Sequence, residues 1–405
     1  MLGRCLGCLD SDDIVLIEGV RRAGKSTLMA QIIDRLLGGV VKPTQILRLD
    51  LEEPAFFTDY SVGLLDRVLQ VYRDQIQPEG KCWLFMDEVQ NIPGWEGWLA
   101  KTLRQENVKV FLTGSSSRLL ARQLDKALPG AYRSFEVAPL SFKEFIKFNG
   151  MAAAVADEDP QHKASLRHLL LAYLRYGGFP EVVMQPDPAK KLKLLKKYFE
   201  YILYQDIACN DAIRDTATLR QIAAHLLTSV GAPASVNMLK TSFGISQDKV
   251  ERYLLALGES YLIYMLNNCS RANGGATRAR FKPYAVDTGL ANRVAGSFDD
   301  EIGRSVENAL VCHLRRRQVP LCFELEEGGD AVVLAKGADA PRRFYVRYED
   351  SIETGTGDLA ALAARLGAER GAGEHAVAIT NQREGVFTAG AVQLHCIPAV
   401  RFFLE

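Results

Sequence analysis

Residues Ile14 to Gln31 read IVLIEGVRRAGKSTLMAQ, and this stretch decides the fold. An apolar, β-branched run, Ile14 to Ile17, reaches the loop Gly19-Val20-Arg21-Arg22-Ala23-Gly24-Lys25-Ser26, and Thr27 opens a series of good helix formers. The loop fits G-x-x-x-x-G-K-[ST] at every fixed position, the Walker A pattern. A strand, a tight loop and a helix N-terminus in that order form an anion site, because backbone N–H groups turn inward and the helix dipole favours negative charge. Gly19 to Thr27 are therefore the candidate phosphate-binding residues. Lys25 would reach the β- and γ-phosphates of a nucleoside triphosphate, and Ser26 would place its hydroxyl on Mg²⁺. A glycine-rich turn before an ordinary helix is the competing reading; the strand and helix on either side weigh against it.

The rest of the composition sets bounds. At 405 residues the chain exceeds one hydrophobic core, so two to four domains are expected. Apolar residues make up 48% and charged residues 24%, ordinary for a soluble globular protein. The formal net charge of +0 gives no global field toward nucleic acid or membrane, although a local basic face is compatible with it. No stretch approaches the ~18 uninterrupted apolar residues of a membrane span, and no signal-peptide layout opens the chain, so a cytoplasmic protein is expected. Of the eight cysteines, Cys5 and Cys8 form a lone C-x-x-C, weak evidence for a metal site. Cys82, Cys312, Cys322 and Cys396 sit in apolar runs and read as small buried hydrophobes. Reduced thiols are expected throughout.

Beyond the loop, Ile46 to Leu51 alternates as a short strand, and Val62 to Tyr72 has one apolar helical face. Cys82-Trp83-Leu84-Phe85-Met86-Asp87-Glu88 is a continuous apolar run ending in two carboxylates, as a strand buried on both faces of a parallel sheet would be. Its acidic end would lie at the carboxyl edge of the sheet, where ligands bind in open α/β folds. This is the Walker B element: Asp87 would hold Mg²⁺ and Glu88 would position the attacking water. A further strand, Val108 to Leu112, leads to Thr113-Gly114-Ser115, where Ser115, and next Thr113, would contact the γ-phosphate or the water. A serine helix cap explains Ser115 equally well. Ser134 to Val137 then completes a five-stranded α/β unit with a parallel sheet.

The segments GVRRAGKST, WLFMDEVQNIPGWEGWLAKTL, FLTGSSSRLL and PLSFKEF, then YLRYGGFPEVV, KYFEYILYQDI and PYAVDTGL, resemble the archaeal and bacterial AAA+-type P-loop ATPase family. In that family the C-terminal part carries a domain of unknown function, of DUF4143 type. The resemblance spans about Ile14 to Leu404, and it implies ATP rather than GTP as the nucleotide. The family usually has an arginine after the glycine that precedes PLSF. Here Gly130 is followed by Ala131, with Arg133 two residues on, so Arg118, Arg122 and Arg133 are all candidates for completing the phosphate site in cis or in trans. An arginine in trans would require a homo-oligomer.

From Lys163 onward helical periodicity covers Leu166–Tyr176, Pro188–Ile207 and Thr218–Val230. Lys190, Lys191, Lys193, Lys196 and Lys197 give one helix a basic start, for which a solvated face is weighed ahead of a phosphate-backbone contact. Ser235 to Leu266 reads as a helix-turn-helix around Gly244-Ile245, with Ile263–Leu266 and Phe281–Val286 as strands of a wing. Its second helix, Gln247 to Leu257, offers Gln247, Lys249 and Arg252 but also Asp248 and Glu251. Protein packing is therefore weighed ahead of DNA binding there, and the loop Arg271 to Arg280 is the better candidate for touching phosphate. At the C-terminus, family members resemble PD-(D/E)xK nucleases; Glu307 and Asp330 would match the helix glutamate and strand aspartate. The E-x-K position is Tyr345-Val346-Arg347, which lacks both the carboxylate and the lysine, so a nuclease-like fold without nuclease activity is expected.

The expected architecture is thus α/β. A P-loop AAA+-type ATPase domain (1–150) is followed by a helical region (151–233) and a winged-helix-like domain (234–290). A restriction-endonuclease-like domain (291–405) ends the chain. The expected function is Mg²⁺-dependent ATP hydrolysis that reorients the appended domains. The alternative is a nucleotide-gated module that binds DNA or a protein partner with little turnover.

Overall fold

A computed structural model of the chain describes residues 1–39, 41–56, 59–115, 117–151, 159–209, 213–269, 280–296, 298, 302–326, 331–336, 341–348, 355–369 and 375–405. Compactness divides it into two units, Met1–Ala138 with Glu259–Tyr261, and Pro139–Gly258 with Leu262–Glu405. The first unit ends before the PLSFKEF segment, which the sequence reading carried in the ATPase domain up to residue 150.

The first unit alternates helix and strand: α1 (Leu2–Leu6), β1 (Ile14–Glu18), α2 (Lys25–Leu37), β2 (Ile46–Asp50), α3 (Val62–Gln75), β3 (Cys82–Asp87), α4 (Trp95–Gln105), β4 (Val108–Gly114), α5 (Ser117–Ala127) and β5 (Tyr132–Glu136). All five strands run parallel in the order β2-β3-β4-β1-β5. The side-chain period of two sorts the apolar strand residues onto two faces. Ile14, Leu16, Leu84, Met86, Val110 and Leu112 pack with Trp95, Trp98 and Leu99 of α4. Val15, Ile17, Trp83, Phe85 and Phe111 pack with Met29 and Ile32 of α2, and Phe85 stacks on Phe111 at 4.5 Å. Strands buried on both faces explain why β3 reads as a continuous apolar run. Cys5 and Cys8 are buried in this second layer, and Cys8 Sγ donates to the Arg4 carbonyl.

The second unit opens with α6 (Phe142–Phe148), α7 (Pro160–Tyr176), α8 (Pro180–Met184) and α9 (Pro188–Tyr201). Helix α9 runs on as a π-helical segment, Ile202–Cys209, where the sequence pattern indicates one helix to Ile207. Next come α10 (Thr216–Thr228), β6 (Ala234–Ser235), α11 (Val236–Phe243), α12 (Gln247–Glu259), β7 (Ile263–Asn267), β8 (Arg280–Ala285) and α13 (Thr288–Ala295). Strands β6, β8 and β7 form a small antiparallel sheet. After α14 (Ile302–Arg316) come β9 (Leu321–Leu325), β10 (Ala331–Ala335), β11 (Arg342–Arg347), α15 (Gly355–Glu369), β12 (His375–Thr380), β13 (Gly385–Ala389), β14 (Val392–Pro398) and α16 (Ala399–Leu404). These strands make a mixed sheet in the order β13-β14-β12-β11-β10-β9, with parallel pairing at β11/β12 and β12/β14.

One cysteine expectation is corrected. Cys322, at the start of β9, is bonded to Cys269, just past β7, with the two Cα atoms 5.3 Å apart. The Cys269 N–H donates to the Phe323 carbonyl at 2.8 Å, so this backbone contact brings the two sulfurs together. Sequence separation of 53 residues hid the pair.

Two segments singled out in the sequence meet inside this unit. Asp287, at the N-terminus of α13, accepts hydrogen bonds from the N–H groups of Gly178 (2.7 Å) and Leu290 (3.1 Å). The Thr288 hydroxyl donates to the Tyr173 carbonyl at 3.1 Å, and Asn292 donates to that of Leu174 at 2.8 Å. YGGFP and VDTGL are therefore two halves of one buried polar joint. Burial is the leading effect on the Asp287 carboxyl and, against its N–H donors, pushes its pKa up to about 6.

Candidate functional site

The C-terminal edge of the parallel sheet gathers the candidate residues. The loop leaves β1 at Gly19, whose φ of +141° suits glycine; a Cβ there would lie 2.2 Å from the Val137 carbonyl oxygen. Gly24 also has positive φ, and Lys25 is the first residue of α2. The Lys25 ammonium donates to the carbonyls of Gly19 (3.1 Å) and Val20 (3.4 Å) and lies 3.4 Å from Glu88 Oε1. Both side chains of that pair are buried.

Asp87 ends β3, and Glu88 follows with φ +54°, a left-handed backbone that is costly for a residue with a Cβ. Thr113 holds this corner: its hydroxyl bonds the Asp87 carboxylate and accepts the Glu88 N–H at 2.9 Å. The two adjacent acids are pushed in opposite directions. Burial raises the Asp87 carboxyl above its usual range, against the Thr113 and Ser26 hydroxyls that bond its charged form. Burial also acts to raise Glu88, but the Lys25 and Arg21 cations outweigh it and hold the carboxyl below its usual range. Arg21 is itself ion-paired with Glu52.

Sequence reasoning missed Gln90. Its amide donates to Glu88 Oε2 at 2.6 Å and to Ser115 Oγ at 3.2 Å, so it ties Glu88 to the end of β4. Gly114 makes room for it; a Cβ there would lie 2.7 Å from Gln90 Oε1 and 2.1 Å from Leu120 Cδ1. The signal was present as a polar residue two positions after DE, but only the 3-10 turn Val89–Asn91 brings it back over Glu88. Thr113, weighed second to Ser115, makes the direct bonds to both acids.

The other candidates divide. Arg133 sits beside Val15 in the sheet register and pairs with Asp13 at 2.6 Å, at the edge away from the loop, so it does not complete the phosphate site in cis. Arg122 pairs with Glu259 at 3.1 Å. The side chain of Arg118 lies outside the described residues, as do Arg271 and the loop around it, and Asp330. Lys249 of α12 is drawn to Asp215 at 2.6 Å, and Gln247 donates to Glu251, so two of the three outward groups on that helix serve packing or its own surface. Glu307, which fits the helix-glutamate position of the nuclease pattern, accepts from Lys282 (2.5 Å) and Tyr284 (2.6 Å). Tyr345 donates to Glu326 at 2.6 Å, and Arg365 pairs with the same carboxylate at 3.1 Å.

Ser26 and Asp87 together suit a hard cation such as Mg²⁺, which takes one or two protein oxygens and completes its shell with phosphates and water. A buried carboxylate raised by burial, bonded by hydroxyls rather than by a cation, fits that role. Among the described residues, no group of three His, Cys, Asp or Glu forms a separate metal cluster, and no helix is long and apolar enough to cross a membrane.

A five-stranded parallel sheet flanked by helices, with this loop at its C-terminal edge, is the fold of a P-loop NTPase, and residues 11–146 match the family model of an AAA domain. The chain belongs to the family of the uncharacterized protein MJ1544 of Methanocaldococcus jannaschii, to which it is 30% identical over 309 residues, covering 75% of this chain and 67% of that protein. It is also 29% identical to an uncharacterized protein of Haemophilus influenzae, over 84% of each chain. Residues 167–301 match a domain of unknown function, DUF8612, where a DUF4143-type domain was expected. The structure of the Aeropyrum pernix ORC1 protein in complex with DNA aligns over 75% of this chain and 92% of that chain, at 14% identity and a TM-score of 0.34.

Proposed function

We propose that this protein binds ATP with Mg²⁺ and hydrolyses it at Gly19–Thr27, Asp87 and Glu88. The observation that carries the reading is the convergence of Lys25, Ser26, Asp87 and Glu88 at one sheet edge, with Lys25 3.4 Å from Glu88. Backbone N–H groups of the loop and the N-terminus of α2 would receive the phosphates. Lys25 would exchange its carbonyl and Glu88 contacts for phosphate oxygens. Glu88, kept ionised by its surroundings, would then hold a water for attack on the γ-phosphorus. Ser26 and Asp87 would hold Mg²⁺, which supplies charge neutralisation on the phosphates. Gln90 would keep Glu88 in register with Ser115. The test is phosphate release from ATP: Lys25→Ala and Glu88→Gln are each expected to abolish most of it, and an unchanged rate in both would refute the assignment.

Turnover would drive the appended modules, read as a helical region (151–233), a winged-helix-like module (234–290) and a C-terminal α/β module (291–405). For the last, a nuclease-like scaffold without a metal centre is supported by the engagement of Glu307 with Lys282 and Tyr284, and of Tyr345 with Glu326. Metal-dependent DNA cleavage that disappears on Glu307→Ala would overturn this part.

A further inference from the structure

The lysine run on α9 has two fates. Lys191 turns inward: its ammonium donates to the carbonyls of Val182 (2.8 Å) and Val183 (3.2 Å) and lies over the Tyr176 ring. It caps the last turn of α8 and is spent on structure. Lys190, Lys193, Lys196 and Lys197 turn outward and are exposed. At 100° per residue they fall within about one third of the helix circumference. Among the described residues, the acid paired with this row is Glu200, 3.8 Å from Lys196, and such an exposed pair is worth little. Exposed Tyr201 and Tyr204 continue the same helix into its π-helical segment. Arg293 of α13 donates to the Leu192 carbonyl at 3.2 Å, adding a guanidinium at the rim.

We propose that this outward row of α9 is a binding surface for the phosphate backbone of nucleic acid, read without regard to sequence. Lys190 to Lys197 spans about 10 Å of helix axis, and duplex DNA presents one phosphate charge per about 1.7 Å, so the row faces roughly six phosphates. The chain as a whole carries a formal charge of +0, so this cationic stripe is a local asymmetry rather than a share of a general surplus. Protein interface cores are depleted in lysine and built on apolar anchors, whereas the exposed Leu192 of this helix lies outside the lysine arc. Polyanion recognition with tyrosine at the margin matches the composition better, because tyrosine hydroxyls bond phosphates and its ring accepts a stacked base.

The test uses the full chain, without nucleotide, and a fluorescently labelled 30-base-pair DNA of arbitrary sequence; it is independent of the ATPase reading. Binding anisotropy across a salt series is expected to give a log–log slope of about −3, from three to four neutralised phosphates. K190Q/K193Q/K197Q is expected to weaken binding at least about tenfold and to flatten the slope by about 0.9 per lysine removed. The exposed Lys101→Gln, on α4, is the control and should leave both unchanged. No binding by the wild type at low salt, or equal affinity and slope in the triple variant, would overturn the proposal. Binding to phosphatidylserine vesicles but not to DNA would overturn it in favour of a membrane surface. The substituted side chains are exposed, so matched circular-dichroism melts separate loss of binding from loss of fold.

Discussion

The Lys25 ammonium and the Glu88 carboxylate stand 3.4 Å apart with both side chains buried, so the lysine proposed to bind phosphate and the glutamate proposed to hold the water are each other's partners. Removing one member of such a pair strands the other charge, at a cost of about 3–5 kcal/mol. Lys25→Ala is therefore expected to melt several degrees below the wild type as well as to lose phosphate release. Scanning calorimetry checks this, and coincident melts would show that the pair contributes nothing. The sign with pH follows from the depressed carboxyl: its contribution is present above the unfolded value and is lost as pH falls through the folded one, below the usual carboxylate range.

Glu88→Gln keeps the shape and the bond to Gln90 but removes the carboxylate proposed to hold the attacking water. Nucleotide binding, followed with a fluorescent ATP analogue, should persist while phosphate release falls by about a hundredfold or more. Equal losses of binding and release would point to a folding defect instead.

Gln90→Ala removes the link between Glu88 and Ser115 without touching the loop. We expect kcat to fall by about tenfold, equivalent to roughly 1.4 kcal/mol, with KM nearly unchanged. A rise in KM at constant kcat would place Gln90 in binding rather than in positioning.

Asp287 titrates in the opposite sense to Glu88. Its folded pKa of about 6 lies above the unfolded value, so its stabilising contribution is full below the ordinary aspartate range and is lost as pH rises through about 6. The difference in melting temperature between the wild type and Asp287→Asn should change between about pH 4 and about pH 7 and be flat outside that window. A flat difference throughout would mean that the joint does not sense its own charge.

The Cys269–Cys322 bond closes a 53-residue separation, for which chain-entropy reasoning gives about 4 kcal/mol of stabilisation. Cys322→Ser should melt lower than the wild type under oxidising conditions and with it under reducing ones. The same gap in both conditions would mean that the loss is one of packing.

Much of the first unit was legible in the sequence because its signals are local. Apolar runs marked β1, β3 and β4, alternation marked β2, the expected Ser134–Val137 overlaps β5 at Tyr132–Glu136, and the loop motif carries its own structural context. Glu88 and Asp87 were found as a pair, yet the wiring around them was not, since Thr113 and Gln90 reach them through chain reversals that spacing does not encode. The joint between Asp287 and Gly178 was visible only as two unrelated segments more than a hundred residues apart. In the C-terminal region, Glu307 fitted a motif by position while its partners, Lys282 and Tyr284, lie on a strand that precedes it. Local pattern identifies a residue type in its element; which groups it meets across the fold is set by long-range packing.

Every residue assigned to the phosphate site lies before position 116, but the loop does not stand by itself. Gly19 is pressed against the Val137 carbonyl, and the Val137 N–H donates to Glu18 at 2.7 Å, so the last strand to be synthesised in this unit clamps the first turn of the loop. A nascent chain would carry the whole motif set, lysine, hydroxyl and both acids, through more than twenty further residues before it could hold a nucleotide. A fragment that ends before Val137 would lack this clamp on Gly19, so the smallest binding-competent fragment is expected to reach past the edge strand rather than to stop at the last motif.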